Sequence, residues 1–124
     1  MNEITDVPGV RPVFESLTPD RVITLAEQAL DLHCTNLCRP LESYINRVYE
    51  LEREDRTGLI IKFYRPGRWS AEALQDEHDF LLELAAQEIP VVAPLRLYSS
   101  NATLGTFGDI SFALFPKCGG RSFD

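Results

Sequence analysis

Leu59-Ile60-Ile61-Lys62-Phe63-Tyr64 sets one lysine among five apolar or aromatic residues. A short apolar run rich in β-branched and aromatic side chains reads as a buried strand. A buried ammonium is costly unless it is paired, so the fold must answer for Lys62. The residues from Trp69 to Ile89 carry a helical pattern: Leu74, Leu81 and Leu84 fall at i, i+7 and i+10 and share one face. Glu77 stands three residues after Leu74 and four before Leu81, so the pattern puts a carboxylate on that stripe. The two anomalies explain each other if Lys62 and Glu77 meet. The periodicity fits equally well a Lys62 that snorkels from an edge strand and a Glu77 on a polar rim.

The chain has 124 residues, enough for one domain. Its net charge of −7 argues against nucleic acid or an anionic membrane as the main partner, while leaving room for a local basic pocket that takes phosphate. Cys34 and Cys38 are spaced like half of a metal site, but only His33 and His78 could join them, so no metal centre is expected. Three cysteines, an odd count, with no apolar signal core in Met1 to Val10, fit a reducing compartment and a cytoplasmic protein. No run approaches transmembrane length. Asn101-Ala102-Thr103 matches a glycosylation sequon and reads here as a polar turn.

Residues 1–17, with Pro8, Gly9 and Pro12, read as an irregular lead-in. A helix then starts with Thr18 as cap, Pro19 in the first turn and Asp20 at the positive dipole end. Val22, Leu25, Ala26, Ala29 and Leu30 form its apolar face, and it should end near His33. Leu37 to Leu41 reads as a short strand broken at Pro40, and Tyr44 to Leu51 as a second. After the charged turn Glu52 to Gly58 comes the lysine strand, closed by Pro66-Gly67. Ser70 caps the next helix, with Trp69 and Leu74 as a hydrophobic staple. Val91 to Tyr98 is strand-like with an interruption at Pro94, and Thr103 to Thr106 and Ile110 to Phe115 complete the set around a Gly108-Asp109 turn. This order predicts an α+β fold, an antiparallel sheet packed by helices on one side.

Leu41-Glu42-Ser43-Tyr44-Ile45-Asn46-Arg47-Val48-Tyr49, Ile61-Lys62-Phe63-Tyr64-Arg65-Pro66-Gly67-Arg68-Trp69, Glu77-His78, Phe112-Ala113-Leu114-Phe115-Pro116 and Gly119-Gly120-Arg121 follow one another in order. The ordered set resembles the N-terminal lobe of the stress response kinase A family, the YihE/RdoA-type bacterial serine/threonine protein kinases. That family belongs to the aminoglycoside phosphotransferase and choline kinase group. The resemblance covers nearly all of the chain after Leu17.

It implies a protein-kinase-like N-terminal lobe over residues 18–118, with 119–124 opening a linker to a C-terminal lobe. It implies that Lys62 reaches the α/β-phosphates of ATP and that Glu77 is its helix partner. Ser43 and Tyr44 would tip the loop covering the phosphates, where a hydroxyl and free amides can donate to phosphate oxygens. Asn46 either steadies that loop or simply caps a turn. Ile60, on the same face as Lys62, would cover the adenine. Phe115 to Cys118, with Lys117, would be the hinge. Arg65 and Arg68 could approach phosphates, or be solvated charges in a turn; His78 reads as a rim histidine. Mg²⁺ ligands and the catalytic aspartate are expected in the C-terminal lobe, with protein Ser/Thr hydroxyls as acceptors. These 124 residues alone are then expected to transfer no phosphate and to leave an apolar underside exposed. A small-molecule kinase lobe and a non-catalytic interaction domain are the competing readings.

Overall fold

Thr18 opens the first helix, α1 (Pro19–Leu30): its hydroxyl accepts from the Arg21 amide at 3.2 Å, and Pro19 and Asp20 occupy the first turn. The helix stops at Asp31, which takes a left-handed conformation at φ 55°, before the His33 read from the sequence. The computed structural model describes residues 14–117. Cys118, the linker 119–124 and most of the lead-in therefore lie outside the described residues. The end of that lead-in is not loose: Phe14 and Leu17 form a turn and are buried against α1 and the sheet.

Among the described residues, five strands make one antiparallel sheet in the order β1-β2-β3-β5-β4. They are β1 (Cys34–Leu41), β2 (Arg47–Arg53), β3 (Gly58–Phe63), β4 (Gly105–Phe107) and β5 (Ile110–Pro116). Between β3 and β4 lies the second helix, α2 (Ala71–Ala86), capped by the Ser70 hydroxyl on the Ala73 amide at 3.0 Å. The lysine strand is where the sequence placed it. β1 is longer than expected and runs through Pro40, which an edge strand tolerates because one side of its backbone is unpaired. β2 begins later, at Arg47, because residues 42–46 form the β1–β2 loop. Val91 to Tyr98 is not a strand: Leu95 donates to Leu114 at 2.7 Å beside β5, but Pro94 has no amide with which to extend a ladder. The Gly108-Asp109 turn joins β4 to β5, with Gly108 at φ +63°.

The helices sit on opposite faces of the sheet, not on one side. Val22 and Ala26 of α1 pack with Leu51, Leu59, Ile61 and Phe63. Leu74 of α2 packs with Val48, Ile60, Ala113 and Phe115. Alternation along β3 enforces this division, sending Leu59, Ile61 and Phe63 to α1 and Ile60 and Lys62 to α2. Each fully buried Leu, Ile or Phe contributes about 1.5–3 kcal/mol, so the α1 face holds most of the hydrophobic stabilisation.

Candidate functional site

Lys62 lies at the centre of the sheet, paired in register with Val48 of β2 and Ala113 of β5. Its side chain is half-buried and its Nζ lies 5.8 Å from the Tyr64 ring centroid and 5.7 Å from that of Phe115. Two aromatic faces offset part of the cost of desolvating an ammonium. The β1–β2 loop folds over this lysine. Ser43, Tyr44, Ile45, Asn46, Lys62 and Trp69 line one cleft of about 250 Å³.

That loop is braced from below. Asn46 Oδ1 accepts the Arg65 amide at 3.2 Å, and Arg65 Nε donates to the Ile45 carbonyl at 3.2 Å. The Arg65 guanidinium also lies 5.3 Å from the centroid of the buried Phe14 ring. Arg65 is thus more than a solvated turn charge: it ties the loop to the end of β3. Arg68 is exposed and lies 5.5 Å from the Trp69 ring centroid. Tyr44 is wholly exposed at the loop tip.

On α2 the helical phase differs from the one read from the leucines. Leu74 and His78 are the buried positions, and Glu77 is exposed. The inward stripe runs at i and i+4, which carries Glu77 to its flank. His78, read as a rim histidine, is fully buried. Its Nε2 lies 3.1 Å from the Tyr64 hydroxyl and its Nδ1 2.8 Å from the Thr103 hydroxyl. Burial holds the imidazole below its ordinary pKa; Glu77 opposes this, Lys62 adds to it, and Asp79 opposes it. Lys62 and Glu77 therefore both act on the same imidazole. Burial, and then Glu77, push the Tyr64 phenol up.

Ile60 shares the Lys62 face but is 0% exposed, and Phe115 is 6% exposed, so the apolar surface expected to lie open is closed at these two residues. Phe115 belongs to β5 rather than to a hinge loop, and its ring meets His78 edge-on at 6.3 Å. Lys117 is the first residue beyond β5. Its amide donates to the Gly58 carbonyl at 3.3 Å and its Nζ pairs with Glu50 Oε2 at 3.0 Å. A Cβ on Gly58 would stand 2.9 Å from the Lys117 side chain, so this close approach requires glycine.

Glu50 was not singled out in the sequence, although an acid between Tyr49 and Leu51 in a strand is the same kind of anomaly as Lys62. Its carboxylate, 11% exposed, takes both Arg39 and Lys117. The Arg39 hydrogen bond holds it below the ordinary carboxylate range against burial, with Lys117 adding to the shift. Burial raises the Cys34 and Cys38 thiols above their ordinary pKa. Among the described residues no three His, Cys, Asp or Glu side chains converge to hold a metal ion. No helix there is long and apolar enough to cross a membrane.

A profile of the phosphotransferase enzyme family matches residues 37–124. Stress response kinase A of Escherichia coli K12 is 40% identical over 112 residues, covering 90% of this chain and 33% of the relative. The serine/threonine protein kinase RdoA of Salmonella typhimurium LT2 is 41% identical over 112 residues, with the same coverage of 90% and 33%. The chain thus spans about a third of the length of the curated relatives it matches. A solved amicoumacin kinase, in complex with AMP-PNP, Ca²⁺ and Ami, superposes with a TM-score of 0.70 at 21% identity, over 84% of this chain and 32% of that one. The five-stranded sheet with its inserted helix is the N-terminal lobe of a kinase-like fold.

Proposed function

We propose that this chain, which belongs to the phosphotransferase enzyme family, is the ATP-binding lobe of a cytoplasmic serine/threonine protein kinase of the stress response type. The observation that carries this reading is the shared cleft: the Ser43–Asn46 loop and Lys62 face one space of about 250 Å³. A hydroxyl, loop amides and an ammonium are the donor set that phosphate oxygens require. In this reading Ser43, with the backbone around Tyr44, donates to the terminal phosphates, and Lys62 neutralises the α/β-phosphates. Asn46, held by Arg65, keeps the loop above them. Glu77, at the flank of α2, orients the Lys62 ammonium. Ile60 and Phe115, buried on the Lys62 face, support the nucleotide site from beneath, and the backbone at the end of β5, from Phe115 to Lys117, reads the adenine edge.

Residues 18–118 form the nucleotide lobe, and 119–124 lead toward a C-terminal lobe. That lobe supplies the Mg²⁺ ligands and the aspartate that orients the acceptor hydroxyl of a protein substrate. These 124 residues alone hold ATP weakly, in the millimolar range or about −4 kcal/mol, and transfer no phosphate. The likeness to amicoumacin kinase supports a second reading, in which the same lobe serves a small-molecule acceptor.

Calorimetric titration with ATP and with adenosine tests the nucleotide assignment. Lys62→Met should remove the advantage of ATP over adenosine and leave the fold intact, because methionine fills similar volume without the charge. ATP should also slow amide exchange at residues 43–46. Undiminished ATP binding in Lys62→Met sinks the assignment. In a chain extended by the C-terminal lobe, phosphate appearing on protein hydroxyls or on small alcohols decides between the two acceptor classes.

A further inference from the structure

We propose that His78 is a positioning residue: by bridging the Tyr64 and Thr103 hydroxyls it locks α2, and with it Glu77, against the strand that carries Lys62. The functional consequence rests on the nucleotide-binding reading above; the lock itself rests on geometry. Tyr64 follows Lys62 by two residues, and its amide still bonds the Ser111 carbonyl at 2.8 Å, so its hydroxyl is fixed to the lysine strand. Thr103 is 1% exposed on the approach to β4. His78 reaches Tyr64 at 3.1 Å and Thr103 at 2.8 Å. Gln75, one turn earlier on the helix, donates to Thr103 at 3.4 Å and to Asp79 at 3.0 Å. The imidazole therefore joins three elements: the helix, the end of the lysine strand and the β4 approach.

Hydrocarbon alone would fill this space, as Leu74 does one turn earlier. Two directed hydrogen bonds add what hydrocarbon lacks, a fixed rotation of the helix about its axis. Rotation matters here because one residue of helical phase turns a side chain by about 100°. Glu77 precedes His78 directly, so the angle that satisfies the imidazole also sets where the carboxylate points.

The lock depends on charge state. A neutral imidazole donates from one nitrogen and accepts at the other, and each hydroxyl can take the complementary part. An imidazolium only donates, which forces whichever hydroxyl had donated to the ring, that of Tyr64 or of Thr103, to turn its proton away. The groups facing the ring are Lys62 and Tyr64 from the lysine strand, Glu77 and Asp79 from α2, and Thr103. Burial and Lys62 favour the neutral form against Glu77 and Asp79. Acid should therefore loosen α2 before it unfolds the sheet.

The test uses this chain as wild type, His78→Phe and His78→Gln. Without nucleotide, His78→Phe should raise amide exchange across residues 71–86 by about tenfold while β2 and β3 stay protected. His78→Gln keeps a donor and an acceptor and should restore part of the protection. Unchanged exchange in His78→Phe overturns the proposal, as does protection lost across the whole sheet in both variants. The wild type supplies a measurement that needs no variant: histidine ¹⁵N shifts followed through a pH titration. His78 should be neutral at pH 7 and titrate below the ordinary histidine value, with α2 exchange rising over the same interval. Titration at or above that value, or exchange that stays flat through it, overturns the lock. With ATP present, His78→Phe should weaken binding severalfold, but by less than Lys62→Met does. Wild-type affinity despite a loosened α2 overturns the positioning role. Failure of the wild type itself to bind ATP, with the exchange results intact, removes the nucleotide reading and leaves the lock standing.

Discussion

On the α1 face of the sheet, Leu51, Leu59, Ile61 and Phe63 belong to one large apolar cluster, and each is 0% exposed. On the α2 face the same strands interleave Val48, Ile60 and Ala113 with Glu50 and Lys62. A face made of hydrocarbon is stabilised by area and tolerates many packings. A face that carries charges must answer each one with a partner, so its geometry is specified bond by bond. The larger apolar cluster and the candidate site thus lie on opposite faces of one sheet.

The largest effect should come from the hydrocarbon face. Phe63→Ala should lower the free energy of unfolding by about 3–5 kcal/mol, read from urea denaturation. A loss under 1 kcal/mol would mean that the α1 face does not carry the fold. On the other face, Glu50→Gln should cost about 1–2 kcal/mol, since Arg39 and Lys117 are exposed enough to regain water. Its pH dependence sharpens the contrast. The Glu50 carboxyl lies below its ordinary pKa when folded, so its stabilisation is complete above that ordinary value and disappears as pH falls through the lower folded one. The gap between wild type and Glu50→Gln should be open at pH 7 and close in acid, whereas that between wild type and Phe63→Ala should persist. The smallest effect is local: Ser70→Ala removes the α2 cap and should cost about 1 kcal/mol. It should appear as faster exchange in the first turn of α2, with sheet amides unchanged.

Lys62 and its strand were legible because a charge inside a continuous apolar run is an anomaly in any single sequence. The Ser43–Asn46 loop was legible only through the resemblance; without it the segment reads as a turn. His78, not Glu77, takes the buried position on α2, because Leu74, Leu81 and Leu84 fit more than one helical phase and the phase is decided by contacts with Tyr64 and Thr103. The bracing contacts of Arg65 and the ion pairs of Glu50 were not legible for a related reason. Their partners, Ile45 and Asn46 for one, Arg39 and Lys117 for the other, lie on different elements.

What the chain determines locally is the kind and order of its elements: the caps at Thr18 and Ser70, the apolar run 59–64 and the break at Pro66-Gly67. Those signals act over a few residues, through dihedral preference, periodicity and capping. Tertiary structure alone decided that the helices cover opposite faces, that Pro94 leaves Val91–Tyr98 outside the sheet, and that His78 rather than Glu77 turns inward. Each of these depends on which distant groups come to share one space, and the pairing of buried polar atoms is settled only there.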